Sequence, residues 1–143
     1  MKFDQFKKEE NKFYKVSESE IATCKKELGE IPSDLMDFWT NVGYGFIKST
    51  NHNINRILDP ISVVDFRLGQ GDFEFLPDIE LYKKFQDNKL IFFEGNESAY
   101  LSIGISGEIV GKVFYYDVEV AGSLEEFLEK IIVNDMYYID LFD

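Results

Sequence analysis

An α+β domain, with helices packed around a mainly antiparallel sheet, is the fold class this sequence predicts, and three observations predict it. Two stretches carry helix-start signals followed by apolar residues at helical period, "SESEIATCKKEL" near one end and "SLEEFLEKII" near the other. Between them, from Lys89, the pattern changes to short runs rich in β-branched and aromatic residues. The 143 residues suffice for one core, and no repeat, low-complexity tract or linker divides them. The expected organisation is a lead-in over residues 1–16, a short helix or a partly ordered segment, followed by one domain over residues 17–143.

In the lead-in, Phe3, Phe6 and Phe13 suit one helical face among lysines. Ser17 and Glu20 then stand at capping-box spacing, Ile21, Cys24 and Leu28 keep helical period, and Gly29 offers a left-handed stop. In "IPSDLMDFWTNVGYGFI", Pro32 fits a first helical position, with Leu35, Phe38, Trp39 and Val42 on one face. Gly43 and Gly45 end that helix and turn the chain into a strand. The order helix, Gly-x-Gly, strand is the reverse of a phosphate-binding loop, so the stretch is first of all a joint.

"TNHNINRILDP" reads as a polar connection, and Asp59-Pro60 as the cap and first position of a helix carrying Ile61, Val64 and Leu68. "GQGDFEF" is turn chemistry followed by alternation. "PDIELYKKFQDN" is a further short helix with Ile79, Tyr82 and Phe85 at spacings of three. "KLIFFEG", "SAYLSIGI" and "EIVGKVFYYD", separated by "NE" and "SG", read as consecutive antiparallel strands. Ser123 and Glu126 repeat the capping-box spacing before Leu124, Phe127, Leu128, Ile131 and Ile132, and the aromatic, acidic tail "VNDMYYIDLFD" is expected to pack back on the domain.

Twenty-seven acids against fifteen bases give a formal net charge of -12, and residues 72–143 alone hold sixteen acids against five bases. Such a field repels nucleic acid and attracts basic proteins; its plainer role is to keep an aromatic-rich chain soluble. No apolar run approaches the ~18 residues of a membrane span, and "MKFDQFKKEENKFYK" has charges where a signal peptide needs an apolar core. With a single cysteine besides, the expected compartment is the cytoplasm, with no membrane partner.

Catalysis needs a base, a nucleophile or a metal held by partners, and the inventory is poor. Cys24 reads as a packed hydrophobe and His52, the only histidine, as a solvated loop residue. No hydrolase, Walker or Cys-x-x-Cys motif is present. The carboxylate pairs Asp72/Glu74, Glu94/Glu97 and Asp117/Glu119 could bind a cation or serve as acid and base, but a solvated acidic face explains them more simply. The expectation is no catalytic residue, no metal and no cofactor.

Three stretches carry a resemblance. "SESEIATCKKELGEIPSDLMDFWTNVGYGFI", "KLIFFEGNESAYLSIGISGEIVGKVFYYD" and "AGSLEEFLEKII" resemble, in order and spacing, the opening, the strand meander and the closing helix of the SUKH superfamily. These small domains are named partly for yeast regulators of cell-wall synthesis and are common among bacterial immunity proteins. The matching positions are Leu28, Gly29, Pro32, Phe38, Trp39, Asn41, Gly43 and Gly45, then Tyr100, then Ser123, Phe127 and Leu128, most of them with structural work to do. Two departures stand out: the Asn-Gly-Gly turn of many relatives is here Asn41-Val42-Gly43-Tyr44-Gly45, and Ser98-Ala99 replaces the Gly-Asp that often precedes the meander aromatic.

What the resemblance implies is a non-enzymatic α+β domain that binds a protein, in bacterial members an immunity protein that neutralises a cognate toxin, commonly a nuclease. An acidic protein can cover the cationic surface a nuclease needs for its substrate. The expected contact residues are therefore the acids and aromatics of 72–119: Asp72, Glu74, Glu94, Glu97, Tyr115, Tyr116, Asp117 and Glu119. A regulatory adaptor like the cell-wall members, and a hydrolase working through a carboxylate pair, remain as alternatives, and the oligomeric state is left open.

Overall fold

The computed structural model describes residues 2–77, 79–83, 87–96 and 99–142. Among these residues seven strands form one sheet in sequence order: β1 Lys12–Tyr14, β2 Tyr44–Phe46, β3 Arg56–Ile57, β4 Lys89–Glu94, β5 Tyr100–Gly104, β6 Val113–Tyr115 and β7 Val118–Ala121. Each runs antiparallel to the next. The helices are α1 Glu18–Leu28, α2 Ser33–Asn41, α3 Pro60–Leu68, α4 Ile79–Lys83, α5 Leu124–Val133 and α6 Tyr137–Phe142. The predicted α+β class with a mainly antiparallel sheet is the one observed.

Side chains sort by register, because residues directly opposite one another share a face. Phe13, Gly45, Ile57, Phe93 and Leu101 make one row across β1 to β5. That row faces α2 and α5: the Phe13 ring lies 5.6 Å from Phe38, and Phe93 4.9 Å from Phe127. The neighbouring row, Lys12, Phe46, Arg56, Glu94 and Tyr100, lies on the other face. Its β5 end is covered by α3 and α4, where Tyr100 meets Phe66 at 4.8 Å and Tyr82 at 5.4 Å. A register shift between Ile91 and Phe93 makes Phe92 a bulge residue, which lets Leu90, Ile91, Phe92 and Phe93 all be buried.

The helix starts follow local chemistry. The Glu20 backbone N–H donates to Ser17 Oγ at 3.1 Å and the Ser17 N–H donates to Glu20 Oε1 at 3.4 Å, a complete capping box. Asp59 accepts from the Ser62 N–H at 3.2 Å with Pro60 at the first position of α3. Ser123 caps α5, but Glu126 reaches one residue further back and accepts from the Gly122 N–H instead of closing the box. Pro32 is the residue before α2 and not its first. Trp39 Nε1–H donates to the Leu58 carbonyl at 2.9 Å, tying α2 to the end of β3 in the core.

Several expectations are corrected. The helix considered for residues 1–16 is one 3-10 turn, Asp4–Phe6, followed by β1. Phe3 and Phe6, three apart, are both buried by that turn, and the Asn11 side chain donates to the Phe6 carbonyl and accepts from the Lys48 N–H, which hands the chain to the edge of β2. The turn chemistry of "GQGDFEF" gives a 3-10 turn over Gly71–Phe73, with Phe73 buried and Phe75 exposed. The α3 side chains in the core are Val63, Val64 and Phe66, whereas Leu68 is exposed. Gly107–Ile109 forms a turn where the third strand was expected to begin, and the four residues of β7, not anticipated, pair with β6 across Tyr116-Asp117. The tail packs back as expected, with Tyr138 fully buried; Phe85 lies outside the described residues.

Cys24 is fully buried on α1, and burial pushes its thiol up to about 11. At pH 8 that leaves about one thiolate in a thousand, so native protein should react with a thiol reagent far more slowly than unfolded protein. Rapid stoichiometric labelling of the native chain would contradict this packing.

Candidate functional site

Tyr100, the first residue of β5, is the hub of an acidic, tyrosine-rich end of the sheet. Its hydroxyl donates to Glu94 Oε2 at 3.2 Å, and Glu94 Oε1 lies 3.4 Å from Arg56 Nη1, so the opposed residues of β3, β4 and β5 form one polar row. The Tyr100 backbone N–H donates to the Tyr82 hydroxyl at 3.2 Å, and the Tyr116 hydroxyl donates to the same oxygen at 3.4 Å. The Tyr82 and Tyr116 rings stack at 5.0 Å and 14°, Tyr115 packs on Tyr116 at 4.7 Å and on Tyr138 at 5.0 Å. Burial, with the Glu94 carboxylate beside it, pushes the Tyr100 hydroxyl up to about 12, and burial drives Tyr82 higher still. Both phenols are neutral at physiological pH and serve as hydrogen-bonding apolar bodies, not as bases. Tyr116 has φ +56°, a conformation costly for an aromatic residue, and the stack on Tyr82 holds it there at the hairpin tip.

Most of the residues expected to meet a partner converge on this hub. Asp72 and Glu74 are exposed on the turn around Phe73, whose ring packs against Phe66 at 4.9 Å and Tyr100 at 6.1 Å. Tyr115 and Tyr116 are half-buried, and Asp117 is exposed at the tip beside them. The acids differ in what already holds them. Glu94 is engaged by Arg56 and Tyr100, and Glu119 lies 3.4 Å from Lys112 Nζ. Among the described residues, Asp72, Glu74 and Asp117 have no such counter-ion. Glu97 lies outside the described residues.

Phe75 was not anticipated. It is 87% exposed, the most exposed large hydrophobic side chain among the described residues, two residues from buried Phe73. The stretch "DFEF" announces alternation, but nothing in it says which phenylalanine faces out.

The residues shared with the SUKH pattern are mainly fold devices. Pro32, Phe38, Trp39, Phe127 and Leu128 are buried, Leu28 and Asn41 are half-buried at helix ends, and Ser123 is a cap. Gly29 stops α1 at φ +81° and ψ -127°, outside the left-handed helical conformation expected of it, donating its N–H to the Lys25 carbonyl. Gly43 and Gly45 adopt φ +121° and +137° against the backbone of β1. Tyr100 alone among them belongs to the polar hub.

A second polar centre is buried. Asp135, between α5 and α6, is fully buried and accepts from Ser49 Oγ, from Asn55 Nδ2 at 3.0 Å and from Asn53 Nδ2 at 2.8 Å, while its own N–H donates to Asn51 Oδ1 at 3.1 Å. Alternate residues of the β2–β3 connection thus grip one carboxylate. Burial alone would raise its carboxyl; the hydrogen bonds from Asn55, Ser49 and Asn53 outweigh that and hold it below the usual carboxylate range. His52, exposed on this connection, and Cys24, inside α1, do not meet. Among the described residues no group of three or more His, Cys, Asp or Glu side chains is placed to hold a metal ion.

Residues 15–130 match the family model of the SMI1 / KNR4 family (SUKH-1). A protein of Bacillus subtilis (strain 168) named immunity protein YxxD is 55% identical over 135 residues, which cover 94% of this chain and 92% of that protein. No solved structure matches the chain.

Proposed function

We propose, since this chain belongs to the SMI1 / KNR4 family (SUKH-1), that it is an immunity protein, binding a cognate protein toxin and holding it inactive without catalysis of its own. The observation that carries the reading is the 55% identity, over nearly the full length of both chains, to a protein named for immunity. The toxin is a basic nuclease and the contact is the acidic, tyrosine-rich end of the sheet. The net charge of -12 supports that choice, because charge complementarity speeds encounter with a cationic enzyme and covers the surface it needs for nucleic acid. The protein acts in the cytoplasm; among the described residues no helix is long and apolar enough to cross a membrane.

Affinity capture of the tagged protein from its native cells, at about 50 mM and again at about 150 mM salt, tests this. The expected result is one basic protein in near-equal amount, captured more readily at low salt, which degrades nucleic acid and kills cells unless this chain is present. Capture of several regulatory or wall-synthesis proteins, with no protection against any toxin, would sink the reading in favour of an adaptor.

A further inference from the structure

Phe75 is 87% exposed, and since a single apolar side chain at the surface is ordinary, what marks it is the way it is presented and the charge around it. Phe75 does not hang on a loose loop. Backbone bonds tie the turn on both sides of it: the Gln70 N–H donates to the Asp65 carbonyl at 2.9 Å, Phe73 to Gln70 at 3.1 Å, Glu74 to Gly71 at 3.2 Å, Leu76 to Phe73 at 3.3 Å and Ile79 to Leu76 at 3.2 Å. Beneath it Phe73 is locked between Phe66 and Tyr100. The ring is therefore presented by a built turn, and little ordering remains to oppose its burial in a complex.

Charge decides what covers it. Asp72 and Glu74 flank the ring, both exposed and, among the described residues, without a counter-ion. Lys83, the one base from residue 71 to 83, lies 3.2 Å from Glu80. The other exposed apolar surfaces differ. Tyr14 and Phe46 have exposed Lys12 and Lys48 two residues away in the chain, Ile54 lines a cavity with Lys48, and Val133 and Leu141 line a cavity that holds Lys130, 3.1 Å from Glu126, beside Glu129.

We propose that Phe75 is the anchor of the toxin interface, entering an apolar socket rimmed by basic side chains on the partner, with Asp72 and Glu74 meeting that rim. The proposal rests on the immunity reading and gives it a specific surface. Burying the ring supplies the affinity and the two carboxylates supply the steering, so the two contributions separate kinetically.

The probe is the basic toxin recovered by capture and shown to kill cells lacking this chain. Phe75→Ala should weaken its binding about 30-fold or more, mainly through faster dissociation. The double variant Asp72→Asn/Glu74→Gln should slow association several-fold at about 50 mM salt and have little effect at about 500 mM. Glu9→Gln, exposed just before the edge strand β1 and outside the expected contact residues, serves as the control and should leave both rates unchanged. With its side chain 87% exposed, the Phe75 variant should melt like the parent; in the parent complex, amides 71–76 should gain protection from hydrogen exchange. If the parent binds the toxin but Phe75→Ala binds within twofold of it and 71–76 stay unprotected, the interface lies elsewhere and the immunity reading survives. If the parent neither binds nor protects against any toxin, that reading falls and this surface with it.

Discussion

Asp135→Asn is expected to lower the stability of this protein by about 3 kcal/mol at neutral pH, the range for breaking a buried charge and its hydrogen bonds. The carboxylate joins residues 80 to 86 positions apart, and everything around it is a donor: Ser49 Oγ, Asn53 Nδ2 and Asn55 Nδ2. An amide in its place would turn its own N–H2 toward those donors. Asn55 shows which interaction wins here, since its amide nitrogen reaches Asp135, Ser49 and the Asn53 carbonyl while its Oδ1 is buried with no partner among the described residues. A hydrogen bond to a charge offsets an unpaired neutral acceptor. The same connection closes the end of α5, with the Thr50 N–H donating to the Ile132 carbonyl at 3.0 Å and its hydroxyl to the Val133 carbonyl. Loss of the carboxylate should therefore loosen residues 49–55 and the last turn of α5 together.

The pH dependence identifies charge as the cause. The carboxyl of Asp135 is held below its ordinary value in the folded chain, so its contribution is fully present above the unfolded value of about 3.9 and is lost as pH falls through the folded value. Urea midpoints of parent and Asp135→Asn should differ widely at pH 7, hold that difference at pH 6, and converge below about pH 4. A gap of the same size at pH 3 would mean that shape alone, and not the negative charge, is what the variant loses.

How far the sequence reveals this arrangement depends on the distance between cause and effect along the chain. The starts of α1, α3 and α5 are legible because Ser17, Asp59 and Ser123 cap within three residues of themselves. Strands β4 and β5 are legible because their apolar runs are long enough to declare a period. By contrast, β1, β3 and β7 hold two to four residues each, and what makes them strands is a partner edge brought from elsewhere. The candidate site divides in the same way. That acids and tyrosines crowd residues 72–119 is plain in the sequence; that Glu94 is engaged by Arg56, 38 residues away, follows only from the β3–β4 register. Phe73 turns inward because Phe66 and Tyr100 await it, and neither lies in the seven-residue stretch around it. The alternation of Ser49, Asn51, Asn53 and Asn55 stands in plain view, but the carboxylate that gives it meaning is the distant Asp135.

Gly45→Ala should cost about 3 kcal/mol as well, through backbone and not side chain. Gly45 sits at φ +137° opposite Phe13, and a Cβ there would overlap the Lys12 carbonyl oxygen; at Gly43, φ +121°, it would overlap the carbonyl oxygen of Tyr14. These oxygens belong to strand β1, so nothing as compliant as a side-chain tip can move aside. The strain is relieved when β1 leaves β2, which exposes Phe13 and loosens its contact with Phe38. Gly29→Ala is the matched control, because Gly29 also has positive φ, +81°, but open space where the methyl would go. It should lose only the conformational share, about 1 kcal/mol. Urea unfolding of both variants, with amide exchange read at residues 12–14, separates the two effects; equal losses would mean that close approach is not what Gly45 supplies. Affinity for the captured toxin, measured per folded molecule, should be unchanged in Gly45→Ala, since β1 and β2 stand at the opposite edge of the sheet from the hairpin tip at Tyr116 and Asp117. Stability lost with affinity kept is the signature of a joint, and a Gly-x-Gly that gripped a ligand would show the reverse.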